Sequence, residues 1–179
     1  MTARPFVVVV TGSECTGKTT LAQELASASG APCSPEFARE YVDRRRAPLG
    51  AADVEPIARG QIQAEDAAMA AASTLVVKDT DLISTVVYAG HYYGACPEWI
   101  AEAARARRGG LYLLLHPDVP WVADGLQRDR PAERERLHGL FRSALASVGA
   151  VVVDITGSWD ERRACAVEAI RSSQALEPG

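Results

Sequence analysis

Short unbroken apolar runs alternate along this chain with longer stretches whose apolar positions recur every three or four residues. Phe6 to Val10 is β-branched and bounded by turn residues, the mark of a strand buried on both faces and hence central in its sheet. After the loop from Gly12 to Gly17, Lys18 to Ser29 carries Leu21, Leu25 and Ala28 at helical spacing and stops at Gly30, which predicts a helix with a glycine end. Pro35 introduces a second helical stretch, FAREYVDRRR, with Phe37, Tyr41 and Val42 on one face. Ala51 to Ser73 is a longer Ala-rich helical pattern that Pro56 and Gly60 are expected to bend or divide.

A second strand is predicted at Leu75 to Val77, running into Lys78-Asp79-Thr80-Asp81, after which Leu82 to Tyr93 returns to helical spacing. Acids therefore stand at a strand's carboxyl end. Leu111 to Leu115 is a further strand, followed by the irregular HPDVPWVADG, a helix from Ala132 to Ser147 and a last strand from Ala150 to Ile155. Thr156-Gly157-Ser158 makes a turn whose serine caps the closing helix, expected to run through Ile170, with Gln174 to Gly179 frayed. Strands alternating with helices imply a parallel α/β sheet.

Composition narrows the class. A chain of 179 residues, 47% hydrophobic and 23% charged, has the balance of one globular domain, expected to span residues 1–179. Its longest apolar runs, Pro5 to Val10 and Leu111 to Leu115, fall far short of the ~20 residues of a membrane span. The first residues lack the pattern of a secretory signal, so no membrane contact and a cytoplasmic location are expected. A net charge of −4 disfavours nucleic acid as a partner and suits a neutral or cationic small molecule. Cys15, Cys33, Cys96 and Cys165 are scattered without a CxxC pair, so reduced thiols are expected rather than zinc or disulfides.

The chemistry concentrates at GSECTGKT, Gly12 to Thr19, which matches GxxxxGK[ST] in full between a predicted strand and a predicted helix. Gly12, Ser13, Glu14, Cys15, Thr16 and Gly17 would turn backbone N–H groups around the phosphates of ATP, beside the positive end of the following helix. Lys18 would bridge the β and γ oxygens, Thr19 would offer its hydroxyl to Mg²⁺, and Thr20 follows in the same helical turn. Asp79 and Asp81, two apart at a strand end, supply a metal ligand, with Asp79 the expected one, and an acceptor for the proton of an attacking hydroxyl. The sequence leaves open which carboxylate does which, and one of them capping the next helix is the alternative.

Three signals separate the P-loop classes. The chain has no asparagine, so the guanine-reading NKxD is absent and a GTPase is disfavoured. It carries Asp79-Thr80-Asp81 where remodelling ATPases carry Asp-Glu, and no spare length for an extra helical domain, so an oligomeric remodelling ATPase is disfavoured. Arginines in a Pro- and Gly-flanked segment before the last strand fit a small-molecule kinase with a closing lid, expected over about 118–136. Among Arg128, Arg130, Arg134 and Arg136, either Arg128 or Arg130 is expected to meet the γ-phosphate, and the other three to lie on the surface.

Taken together, the motifs resemble the ribosylnicotinamide kinase domain of the NadR type, a relative of the P-loop nucleoside kinases. The resemblance rests on GxExxGK[ST] including Glu14, EFAREY (Glu36 to Tyr41), DTD (Asp79 to Asp81), PDVPWVADG (Pro117 to Gly125) and TGSWDER (Thr156 to Arg162). It covers nearly the whole chain. It implies a P-loop NTPase fold with a mostly parallel five-stranded sheet flanked by helices, and transfer of the γ-phosphoryl of ATP to the 5′-hydroxyl of nicotinamide riboside. Larger family members carry an adenylyltransferase domain ahead of the kinase; here no second activity is expected. The family's Asp-Gly-x-Arg reads Asp124-Gly125-Leu126-Gln127-Arg128, with the arginine one place later.

For the acceptor, Glu36, Arg39 and Glu40 share a helical face at i, i+3 and i+4, a surface helix with local ion pairs being the alternative. Acids there would hold ribose hydroxyls and balance a pyridinium, with Arg39 on phosphate. Asp124 joins them. Tyr88, Tyr92 and Tyr93, with Trp121 in the irregular segment, could sandwich a flat cationic ring. Gly157 and Arg162, beyond the last strand, are expected to line the adenine. An ATP-binding switch with little turnover and a kinase of another nucleoside are the alternatives.

Overall fold

A computed structural model describes residues 4–120 and 133–176. Five strands, β1 (Phe6–Thr11), β2 (Cys33–Ser34), β3 (Leu75–Asp79), β4 (Leu111–Leu115) and β5 (Val152–Ile155), form an all-parallel sheet in the order β2-β3-β1-β4-β5. β1 lies at the centre, with Val8 in register with Val77 on one side and Leu111 on the other. Alternation along the strand divides its side chains between two cores. Phe6, Val8 and Val10 pack with Leu21 and Leu25 of α1 (Lys18–Ser29) and Ile170 of α7 (Trp159–Leu176). Val7 and Val9 pack with Ile83 and Val87 of α4 (Leu82–Tyr93), and with Leu137 and Phe141 of α6 (Arg134–Ser147).

The remaining helices are α2 (Phe37–Arg45), α3 (Val54–Ala71) and α5 (Glu98–Ala106). α3 runs unbroken, contrary to the expected bend or division. Pro56 sits in its first turn, where the missing N–H has no partner to lose. Gly60 is there for space: a Cβ would lie 2.0 Å from the Phe37 ring, so the glycine lets α2 dock on α3. α7 continues to Leu176, past the expected end, so Gln174 is helical rather than frayed. Its start is capped as expected: Ser158 N donates to Glu161 at 2.8 Å and Glu161 N to the Ser158 hydroxyl at 3.4 Å. β2 left no clear pattern in the sequence; α5 was not among the expected elements, although Trp99, Ile100, Ala103 and Ala104 recur at helical spacing and pack on the core. Among the described residues no helix is long and apolar enough to cross a membrane.

One polar network is buried between the sheet and α3. Lys78 Nζ donates to Glu65 Oε2 at 2.7 Å, Arg107 Nε reaches the same oxygen at 3.4 Å, and the Tyr112 hydroxyl donates to Asp81 Oδ2 at 2.6 Å. Tyr112 also accepts from Gly109 N at 3.0 Å. Tyr112→Phe leaves a buried N–H and a buried carboxylate oxygen each short of a partner. The variant should lose about 1–3 kcal/mol of stability, read as a lower urea midpoint at an unchanged denaturant slope.

Candidate functional site

The turn from β1 into α1 is a loop that only glycine can build at two points. Gly12 has φ 134° and a Cβ there would lie 2.7 Å from the Leu115 carbonyl oxygen; Gly17 has φ 88° and a Cβ would lie 2.8 Å from the Trp159 ring. Cys15 adopts φ 54°. No side chain caps the α1 N-terminus, so its first turn keeps the electropositive character that binds phosphate. The loop carbonyls have protein partners. Ser13 O accepts from Lys18 Nζ at 2.8 Å and from the Thr16 hydroxyl at 2.9 Å, and Cys15 O accepts from Arg134 Nη2 at 3.2 Å. Thr16 O accepts from Arg162 Nη1 at 3.3 Å.

Those two arginines correct the sequence expectation. Arg162, placed at the adenine from sequence, is fully buried. Its guanidinium donates to the carbonyls of Gly157, Thr16 and His116 and pairs with Asp118, whose other oxygen accepts from Gly157 N at 2.8 Å. Arg162 and Gly157 thus brace the phosphate loop from behind. Arg134, expected on the surface, is buried and links the loop to Val119 O at 3.0 Å. An arginine in an ion-pair-rich sequence looks solvated until the fold places backbone carbonyls around it.

Thr19 and Asp79, the two residues expected at the metal, lie in hydrogen-bond contact. The Thr19 hydroxyl donates to Asp79 Oδ2 at 2.6 Å, while Asp79 Oδ1 is buried with no hydrogen-bond partner. Burial raises the Asp79 pKa, against the lowering influence of the Thr19 hydrogen bond and the Lys18 and Arg39 charges. Two hard oxygen donors, one carrying an unspent lone pair, fit Mg²⁺. Asp81 does not join them. Thr80 takes φ 66°, which turns the chain so that Asp81 faces the buried network instead. Asp81 Oδ1 accepts from Ile83 N at 3.0 Å, capping α4, and Oδ2 accepts from Tyr112. The expected acid pair is one site carboxylate and one helix cap.

A cleft of about 630 Å³ opens beside the loop, between α2 and α4. Glu36, Arg39 and Tyr88, expected at the acceptor, line it together with Glu14 and Lys18 of the phosphate loop. Tyr88 and Tyr92 are stacked in the same wall, with ring centroids 6.0 Å apart and planes 8° from parallel. Glu40 lies elsewhere, in a shallower groove by Thr19 and Asp79, paired with Arg44. Thr20 is exposed on α1. Trp121, Asp124, Arg128 and Arg130 fall outside the described residues. The cleft also takes Asp43, Arg46, Thr80 and Ser84, which sequence reasoning missed. Asp43 stands seven residues after Glu36 and four after Arg39, so helical spacing held that signal. α2 is anchored behind the cleft: Gln61 Oε1 accepts from Phe37 N at 3.0 Å, and Asp53 accepts from Tyr41 at 2.9 Å and pairs with Arg45.

A family described as AAA domain matches residues 7–162, from β1 through the Arg162 brace. The chain belongs to the AAA domain family. An alignment of 131 positions, covering 69% of the chain, is 31% identical to the trifunctional NAD biosynthesis/regulator protein NadR of Escherichia coli, of which it covers 32%. A crystal structure of NadR protein in complex with NR superposes at a TM-score of 0.80 with 29% identity, over 98% of this chain and 53% of that one. NadR protein in complex with NAD and AMP-PNP gives 0.77 at 26% identity, over 98% and 51%. Thymidylate kinase from Ehrlichia chaffeensis, 14% identical at a TM-score of 0.68 over 96% of this chain and 100% of that one, shares the fold. The chain spans about a third of the curated relative and about half of the solved NadR chains. The AAA domain here carries Asp79-Thr80-Asp81 at the carboxyl end of β3, not the Asp-Glu pair of remodelling ATPases.

Proposed function

We propose that this protein is an ATP-dependent small-molecule kinase that transfers the γ-phosphoryl group to the 5′-hydroxyl of a nucleoside, nicotinamide riboside being the acceptor that fits best. The observation carrying the reading is the phosphate loop, with Lys18 and the Thr19–Asp79 pair, opening directly onto a cleft walled by acids and stacked tyrosines. Similarity to NadR, a protein solved with NR and with AMP-PNP, supports both ligands.

Lys18 and the loop amides would hold the triphosphate, and Thr19 and Asp79 would hold Mg²⁺, which would supply charge neutralisation for the phosphates. Phosphoryl transfer through a loose transition state asks mainly for position and charge balance. Glu36 and Asp43 supply negative charge toward a cationic ring, Tyr88 and Tyr92 a flat face for it, and Arg39 and Arg46 positive charge toward phosphate. Asp81, occupied as a cap, takes no part.

The test is a panel of nucleosides, including deoxynucleosides, incubated with purified protein and Mg-ATP while ADP release is followed. Nicotinamide riboside should raise the rate most. No acceptor raising it above water would overturn the kinase reading in favour of a nucleotide switch. Asp43→Asn should raise KM for the cationic acceptor about fivefold, some 1 kcal/mol at a partly hydrated site, and leave KM for a neutral nucleoside unchanged.

A further inference from the structure

Away from the cleft, on the other side of the β4 end, three potential ligands converge from separate elements. His116 follows β4 directly, Asp154 lies in β5 opposite Leu114, and His138 projects from α6. Among the described residues this is the grouping of such side chains whose donor atoms all lie within 4.8 Å of one another. The His116 and His138 rings stand 4.1 Å apart centre to centre, and His116 Nε2 is 2.7 Å from Asp154 Oδ1. His138 is only 7% exposed, yet both of its ring nitrogens are buried without a hydrogen-bond partner. A buried imidazole with no partner for either nitrogen is costly and calls for an explanation.

We infer that His116, His138 and Asp154 form a binding site for a borderline divalent transition metal, Zn²⁺ above all. Two imidazoles and one carboxylate are the donor set of zinc sites with three protein ligands, and a poor one for Mg²⁺, which takes oxygens in an octahedral shell. Tetrahedral bonds of about 2.0–2.1 Å place ligand atoms roughly 3.4 Å apart, so a small closure of the side chains completes the cage. Asp154 is 43% exposed and His116 29%, which leaves a solvent side for a fourth, water ligand. The site has one internal competitor: Arg142, one turn beyond His138 on α6, pairs with Asp154 Oδ1. At 49% exposure its guanidinium can turn to water when a cation takes its place.

The site would act as a clasp. Its ligands tie α6 to the β4–β5 edge, and both anchor points lead to the phosphate loop: the His116 carbonyl accepts from Arg162, and Arg134 of α6 bonds Cys15 O. Bound Zn²⁺ would hold the loop's two arginine braces in a fixed relation.

The test uses the untagged, metal-free full chain. Co²⁺ serves as a spectroscopic probe, and Zn²⁺ is titrated against a chromophoric chelator. One Zn²⁺ per chain should bind, Co²⁺ should give the visible bands of a four- or five-coordinate N/O site without a thiolate charge-transfer band, and Zn²⁺ should raise the Tm. Asp154→Asn and His138→Ala should each weaken Zn²⁺ at least about tenfold, Arg142→Ala should tighten it, and Asp79→Asn should leave it unchanged. Should His138→Ala fail to fold, His116→Gln and Asp154→Asn, on the half-exposed side, still decide. Binding no tighter in the wild type than in the ligand variants, or a thiolate band, would overturn the site. The nucleoside panel does not bear on this result, so the two readings stand or fall separately.

Discussion

Lys18→Ala is expected to cut ATP-dependent phosphoryl transfer by about a hundred- to a thousandfold while the fold stays intact. The size follows from removing one positioned cationic donor from the site where charge develops on the transferring phosphoryl oxygens, each factor of ten being about 1.4 kcal/mol of barrier. The intact fold follows from the loop itself. Lys18 Nζ donates to Ser13 O, but that carbonyl also accepts from the Thr16 hydroxyl at 2.9 Å, so no backbone group is left without a partner. The stability cost is therefore no more than about 1 kcal/mol. Rates of ADP release with the best acceptor, set beside a urea midpoint, check both halves. Turnover retained in a folded variant would remove the loop from the chemistry.

How far the sequence could reveal this site depends on how local each signal is. The phosphate loop was legible because strand, glycines, lysine and helix are consecutive, and the physics that selects glycine at Gly12 and Gly17 acts within a few residues. β1, α1 and α4 were legible because an unbroken apolar strand and a 3.6-residue period are properties of the segment alone. β2 is two residues long and has no period to read. The reason for Gly60 in α3 lies in Phe37 of another helix, whose ring takes the space a Cβ would fill. Arg162 and Arg134 were misplaced for the same reason: their partners are carbonyls up to 146 residues away. Charged residues amid other charged residues predict a wet surface only until tertiary structure brings unpaired carbonyls to them.

The acid pair shows the same limit most sharply, and it yields the second large effect. Asp79→Asn keeps a side chain that can accept from the Thr19 hydroxyl but removes the negative charge, so turnover should fall about a hundredfold and the Mg²⁺ concentration for half-maximal rate should rise. Asp81→Asn should leave turnover within a few-fold and act on the fold instead. Asp81 accepts from Ile83 N with one oxygen and from Tyr112 with the other. An amide presents a donor to one of them, costing about 1–3 kcal/mol. The pH dependence separates the roles further. Burial raises the Asp81 pKa to about 6, against the lowering hydrogen bond from Tyr112, whereas the unfolded chain titrates near 3.9. The folded state thus holds the proton more tightly, and this group's contribution to stability grows as pH falls from about 6 to about 4. Asn does not titrate, so the stability gap between wild type and Asp81→Asn should widen in the wild type's favour over that window, as read by urea midpoints at each pH. A folded Asp81→Asn protein as inactive as Asp79→Asn would return Asp81 to the reaction. A gap that does not change with pH would mean its carboxyl is not held as the burial and the Tyr112 contact require.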